Sequence, residues 1–146
     1  RYFAGDLREK LTIANLLSAT LDAFDRVDIL VNAARVFAVS DALDPARDQV
    51  ELMLQYNLLS SLRLSQMTAR RMIAQAEKTE ATGNIGAIIN LSSTSTTRTN
   101  PDLLGYAISS AAVEQMTRSL ALALAPRGIR VNAVAFASVT SASLQA

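Results

Sequence analysis

The 146-residue sequence contains no cysteine and no histidine. That removes the nitrogen and sulfur ligands of a usual zinc or iron centre. It also excludes a Ser-His-Asp or Cys-His catalytic arrangement built within this chain. Disulfides are excluded too, which fits a reducing compartment, and a cytoplasmic location is expected. Glycine is sparse: Gly5, Gly83, Gly86, Gly105 and Gly128 never cluster, so there is no Gly-rich loop to bring backbone close to a phosphate. Charge is balanced, with 14 Lys and Arg against 13 Asp and Glu. No strong field then draws nucleic acid or an acidic membrane, and neither is expected as a partner. No apolar run reaches about 18 residues, so no transmembrane helix is expected. The opening Arg1-Tyr2-Phe3-Ala4-Gly5-Asp6 has neither a start Met nor a signal-peptide pattern and reads as the middle of a longer chain.

What is present is a globular composition, half hydrophobic, of a length that suits one domain around one core. Residues 2–4 read as a strand end closed by Gly5-Asp6. Residues 7–24 place Leu11, Ala14, Leu17, Leu21 and Phe24 at helical spacing. Residues 27–31 form a β-branched run ending at Asn32, and residues 40–47 form a loop. A long helix is expected over residues 49–78 and a turn over 80–84. Residues 85–91 are nearly all apolar, as in a strand covered on both faces. A Ser/Thr-rich loop follows over 92–101, then an Ala- and Leu-rich helix over 104–125. Pro126-Arg127-Gly128 stops that helix, and residues 129–136 read as a last strand.

Strands alternating with long helices imply βαβ units on a parallel sheet. The expected fold class is α/β, a Rossmann-type doubly wound sheet between two helical layers. Ligands of such sheets sit beyond the carboxyl ends of the strands. Those ends fall here at Asp6, at residues 32–35, at 92–97 and at 136–141.

Few groups near those ends can move a proton. Tyr106 stands out, following Gly105 at the start of a helix just after the loop that begins at Ser92. A phenol can give its proton to a carbonyl oxygen as hydride reaches carbon, and can take it back in reverse. A phenol's ordinary pKa is about 10, so such a base normally needs a nearby cation. The place for one is four residues on, on the same helix face, and that place holds Ser110.

The pattern resembles the short-chain dehydrogenases/reductases over nearly the whole chain. Asp28-Ile29-Leu30-Val31-Asn32-Ala33-Ala34-Arg35 is similar to that family's Asp-x-Leu-Val-Asn-Asn-Ala-Gly segment. Gly86-Ala87-Ile88-Ile89-Asn90-Leu91-Ser92-Ser93 is similar to its fifth strand. Ser93 precedes Tyr106 by the family's Ser-to-Tyr spacing, and residues 117–134 are close to its helix-to-sixth-strand text.

The resemblance implies roles. Tyr106 is the general acid/base, Ser93 hydrogen-bonds the substrate carbonyl, and Asn57 holds a proton-relay water. Asp6 and Leu7 lie against the adenine of NAD or NADP, with Asn32, Ala33 and Ala34 beside the cofactor. Val139 and Ser141 lie near its nicotinamide amide. The resemblance also implies a homotetramer or homodimer and a small-molecule substrate. It further implies that residues 1–146 are the central portion of one NAD(P)-binding domain, with a Gly-rich part before and a further part after. In the family's strand order the strand at residues 2–4 would stand two places from the next, leaving a gap in the sheet.

Three departures bear on function. The family's Tyr-x-x-x-Lys reads Tyr106-Ala107-Ile108-Ser109-Ser110, and its Asn-Asn-Ala-Gly reads Asn32-Ala33-Ala34-Arg35. The Pro-Gly after its sixth strand reads Phe136-Ala137. Arg35 is expected to be a solvated or substituted position instead of a cofactor ligand, and Ser110 a marker of lost function. Two function classes are therefore expected: an NAD(P)-dependent oxidoreductase interconverting a ketone or 3-oxo group and an alcohol, or a catalytically impaired relative serving as a partner subunit or nucleotide sensor.

Overall fold

The computed structural model describes residues 1–137. Its centre is a parallel sheet of three strands in the order β1-β2-β3: Ile29–Asn32, Gly86–Ser93 and Ile129–Phe136. Helix α1, Lys10–Phe24, precedes β1. A helical run from Val50 to Thr79 joins β1 to β2. Helix α4, Leu104–Leu124, joins β2 to β3.

The register explains which side chains are covered. Leu30 lies beside Ile88 and Asn32 beside Asn90, while Ile88 pairs with Val131 and Gly86 with Ile129. Since side chains alternate across a strand, these share one face. That face is packed under Ala69, Met72, Ile73, Leu120, Ala121 and Leu124, and Met72, Ile88 and Ile129 are fully or almost fully buried. Each such side chain stabilises the fold by about 1.5–3 kcal/mol. The alternate residues Ile29, Val31, Val134 and Phe136 point to the other face and stay exposed. The α/β parallel architecture expected from the element order is what is found. Of its two flanking helical layers, the described residues supply one.

A buried polar row crosses the covered face. Asn32 donates to Ser65 Oγ at 2.9 Å and to Asn90 Oδ1 at 2.8 Å. Asn90 in turn donates to Thr117 Oγ1 at 2.8 Å, and Thr117 donates to the Val113 carbonyl. This row ties β1 and β2 to the helices on either side through groups that would be costly to bury unpaired.

Several boundaries differ from expectation for physical reasons. Residues 2–4 form no strand. Among the described residues the only strand bonded to β1 is β2, so this segment has no ladder to join, and Tyr2 is exposed. The helix expected from residue 7 begins at Lys10, because Asp6 closes a turn with its carbonyl on Glu9 N–H at 3.1 Å. The long helix starts after Gln49, which takes a left-handed φ of 58°, and runs as α2 (Val50–Met53), a π-helical turn (Leu54–Leu59) and α3 (Ser60–Thr79). β2 continues through Ser93, two residues into the expected loop.

Gly128 shows why the chain stops at Pro126-Arg127-Gly128 before β3. Its φ is 74°, and a Cβ there would lie 2.0 Å from the Gly83 carbonyl oxygen. Only glycine allows that left-handed turn against that neighbour.

Candidate active site

The carboxyl end of β2 and the first turns of α4 carry the residues of interest. Tyr106 reaches its position because α4 sits tightly on the segment before α2. The Gly105 N–H donates to the buried Ser40 hydroxyl at 3.0 Å, and Ser40 N–H donates to the Asp102 carbonyl at 2.8 Å. A Cβ on Gly105 would stand 3.0 Å from the backbone of Asp48 and Gln49, so the small residue permits the close approach. Tyr106 is half-buried, with the Phe37 ring meeting it edge-on at a centroid distance of 5.1 Å.

Arg35 is a substituted position that is half-buried instead of fully solvated. From the segment after β1 it turns inward, donating from Nη1 to the Leu91 carbonyl at 2.7 Å and from Nη2 to Ser110 Oγ at 2.6 Å. Its guanidinium carbon stands 4.9 Å from the centroid of the Tyr106 ring. Burial pushes its pKa down from the ordinary value, and the Tyr106 phenol opposes that shift. Arginine nonetheless remains cationic at neutral pH. The reason for the inward turn is local: a carbonyl, a hydroxyl and an aromatic face all lie within reach, and each is a partner for a guanidinium. Its Nε is buried and has no partner.

Asn57 sits in the π-helical turn, and its amide is fully used. Oδ1 accepts from Val36 N–H at 2.8 Å, and Nδ2 donates to the Val36 carbonyl at 3.0 Å and to Ser109 Oγ at 3.1 Å. Ser109 then donates to the Tyr106 carbonyl at 3.1 Å. Asn57 is thus tied to the turn that bears Tyr106 and, through Val36, to the neighbour of Arg35. A π turn accommodates one extra residue in a helix and is frequent at functional sites.

Ser93 ends β2 and is buried, its Oγ accepting from Ser95 N–H at 3.2 Å. Its hydroxyl proton has no acceptor among these bonds and remains available to donate. Glu114, on α4, accepts from the Ser92 hydroxyl at 2.7 Å and from the Thr96 hydroxyl at 3.0 Å. These bonds pin the Ser/Thr segment on both sides of Ser93.

The residues expected at the adenine side are only partly gathered. Leu7, Asn32, Ala33 and Ala34 line one cavity of about 40 Å³, closed by Ser60, Ser61 and Leu64. That holds a water and not a nucleotide base. Asn32 points into the buried polar row and bonds Ser65 and Asn90. The Asp6 carboxylate is engaged by Arg8, through its N–H at 2.9 Å and its guanidinium, and that guanidinium holds the carboxyl below its ordinary value. Val139 and Ser141 lie outside the described residues. A wider cavity of about 530 Å³ lies at the opposite end of the sheet, among Asp28, Arg71, Ile85 and Arg130, and includes none of the residues above.

Three participants have no marker in local pattern: the inward-turned Arg35, Ser109 and Glu114 meet Leu91 and Ser110, Asn57, and Ser92 and Thr96, all eighteen or more residues away in the chain. The one local signal was Asn57, an unfavourable residue inside a helix.

Among the described residues there is no group of three or more acidic side chains able to hold a metal, and no helix long and apolar enough to cross a membrane.

The sequence matches the family described as enoyl-(acyl carrier protein) reductase over residues 1–145. It is 36% identical to carbonyl reductase (NADPH) 2 of Sus scrofa over 108 residues, which is 74% of this chain and 41% of that protein. It is 34% identical to L-xylulose reductase of Mesocricetus auratus over 78% of this chain and 44% of that one. In three dimensions it superposes on an NAD+-bound xylitol dehydrogenase with a TM-score of 0.84 and 25% identity, covering 97% of this chain and 52% of the other. The chain spans about half the length of the curated relatives it matches. With a parallel α/β sheet like that of the dehydrogenase it superposes on, and a family match along almost its whole length, the chain belongs to the short-chain dehydrogenase/reductase family.

Proposed function

We propose that the protein is an NAD(P)-dependent oxidoreductase that interconverts a ketone or 3-oxo group and an alcohol, with Tyr106 as general acid/base. The observation that carries this reading is the placement of Tyr106 at the first turn of α4, beside the half-buried guanidinium of Arg35 and next to the strand that ends in Ser93. The names of the relatives, carbonyl reductase and L-xylulose reductase, support the same reaction class.

In the reduction direction Tyr106 gives its phenolic proton to the carbonyl oxygen. Ser93 steadies that oxygen with the hydroxyl proton that its bond from Ser95 N–H leaves free. The ketone carbon gains hydride, the oxygen gains a proton, and the alcohol leaves Tyr106 to be reprotonated. In this reading Asn57 holds the relay water that returns a proton to Tyr106, and its side chain, committed to Val36 and Ser109, leaves its main chain for that water. When bound, the nicotinamide supplies or accepts the hydride.

The residues present fit the ribose-nicotinamide end of such a cofactor. Arg35 offers a buried N–H without a partner at the ends of the strands, and Ala33 and Ala34 there are exposed and carry only methyl groups. Asp6, Leu7, Ala33 and Ala34 would hold the cofactor, together with Val139 and Ser141, with Asn32 fixing the strand end beside it. We read residues 1–146 as part of a single dinucleotide-binding domain. In the same reading the protein acts in the cytoplasm on a small molecule and self-associates, as a homodimer or homotetramer, through the long helices α3 and α4.

The impaired-relative alternative rests on Ser110 in place of a lysine and on the altered segment from Asn32 to Arg35; the contact of the Arg35 guanidinium with Ser110 is the observation that favours the enzyme reading over it.

The test is NADH and NADPH oxidation with small ketones and 3-oxo compounds, alongside cofactor binding by titration calorimetry. Tyr106→Phe should lower turnover by at least about a hundredfold with cofactor binding kept, the usual scale of acid–base catalysis. Parent-like turnover in Tyr106→Phe would remove the assignment. Cofactor binding without turnover in the parent would favour the sensor reading.

A further inference from the structure

We propose that Arg35 supplies the positive charge of the Tyr106 site, delivered from the segment after β1 instead of from the helix that carries Tyr106. The proposal rests on Tyr106 as the acid/base and adds the residue that makes its proton transfer feasible.

Two substitutions that read separately as losses are in contact. Where the family resemblance leads one to expect a glycine, the chain has Arg35; where it leads one to expect a lysine, it has Ser110. Arg35 Nη2 lies 2.6 Å from Ser110 Oγ. Ser110 is fully buried, so a long cationic side chain at that position would compete for the volume the guanidinium occupies. The short hydroxyl makes room for the guanidinium and accepts a hydrogen bond from it. The Leu91 carbonyl takes a second bond at 2.7 Å, so the planar group is held at two points. The planar fork fixes both acceptors in one geometry, which a flexible Lys ammonium would hold less rigidly.

The held charge lies 4.9 Å from the centre of the Tyr106 ring. A cation there is drawn to the neutral ring by its quadrupole and more strongly to the anion, whose charge spreads into the ring. The differential favours ionisation, which is what a phenol needs to accept a proton near neutral pH. Other charged groups on elements packed against α4 are engaged or exposed. Glu51 accepts from Gln55, Tyr56 lies under Arg8, and Glu114 takes the Ser92 and Thr96 hydroxyls. Asp102 is exposed on the turn before α4, and Arg127 and Arg130 lie at the amino-terminal end of β3. Arg35 acts through Tyr106 and is a positioning residue.

The chain has no tryptophan and three tyrosines, so tyrosinate absorbance can be followed directly. The signal belonging to Tyr106 is the one lost in Tyr106→Phe. In Arg35→Met that signal should move to higher pH, since the neutral side chain removes the cation beside the ring. Arg35→Lys, and the transplant Arg35→Ala with Ser110→Lys, should each bring it back toward the parent. Carbonyl reduction should follow the same order.

Should Arg35→Met fail to fold by circular dichroism, Arg35→Gln keeps a donor for one of the two bonds without charge and is read in its place. An unmoved Tyr106 signal in the folded, uncharged variant overturns the proposal and makes Arg35 a structural tie between β1 and α4. The absorbance needs neither cofactor nor turnover, so it can fail while Tyr106→Phe still abolishes reduction. The reverse result, a shifted signal with reduction intact in Tyr106→Phe, would sink only the acid/base reading.

Discussion

Asn57 holds the main chain at Val36 by both sides of its amide, Oδ1 on the N–H at 2.8 Å and Nδ2 on the carbonyl at 3.0 Å. No other described side chain joins the π-helical turn to the segment that carries Arg35 in this way. Replacing Asn57 with Ala leaves two main-chain groups and Ser109 short of a partner. The expected cost is about 2–4 kcal/mol. Urea unfolding checks it, and a loss below about 0.5 kcal/mol would mean that water replaces the amide freely.

Gly105→Ala should disturb the site from behind. The added methyl meets the backbone of Asp48 and Gln49 at 3.0 Å, and backbone cannot swing aside as a side chain can. A loss of about 1–3 kcal/mol is expected, the usual range for overpacking. Since Tyr106 is the next residue, turnover should fall more than stability alone explains. Thermal melting paired with the carbonyl-reduction assay separates the two effects, and unchanged melting would contradict the close packing.

The Asp6–Arg8 pair sets a pH dependence of known sign. The guanidinium hydrogen bond lowers the Asp6 pKa below its ordinary value of 3.8 in the folded state. Its contribution is therefore fully present above that value and is lost as pH falls through the lower folded value. The stability difference between parent and Asp6→Asn should be constant near neutrality and close below about pH 3.8. The group is exposed, so the effect is small and weakened by salt. A difference that grew on acidification would contradict the pairing.

Asn32 and Asn90 should behave as one unit. Each loses a partner when the other is removed, since Asn32 Nδ2 donates to Asn90 Oδ1 at 2.8 Å. A double-mutant cycle with Asn32→Ala and Asn90→Ala should give a coupling of about 0.5–3 kcal/mol. Additive losses would show that the row is independent pairs.

Much of the fold was legible in advance. The last strand was read as residues 129–136 and is Ile129–Phe136; the helix before it was read as 104–125 and is Leu104–Leu124. Those segments carry strong periodicity and a clear stop at Pro126-Arg127-Gly128. Misses fall where local pattern competes with context. Residues 2–4 look like a strand but lack a neighbouring ladder, and residues 54–59 look α-helical but form a π turn around the bonds of Asn57 to Val36. At the candidate site, residue type singles out Tyr106 and the family resemblance adds Ser93. Arg35 was read as solvated or substituted because its partners, the Leu91 carbonyl, Ser110 and the Tyr106 ring, all lie more than fifty residues away in the chain.

The sequence by itself determined the order and kind of elements, since helical and strand periodicities are local and survive without knowledge of neighbours. It also determined the available chemistry, because a chain without cysteine or histidine leaves a phenol, hydroxyls, carboxylates and cations to act. Only the tertiary structure decided which cation meets the phenol. That depends on β1 and β2 lying side by side with α4 packed over their ends, which brings Arg35 onto Ser110 and the face of Tyr106. Contacts of that range are set by how the sheet and helices pack, and no local pattern encodes them.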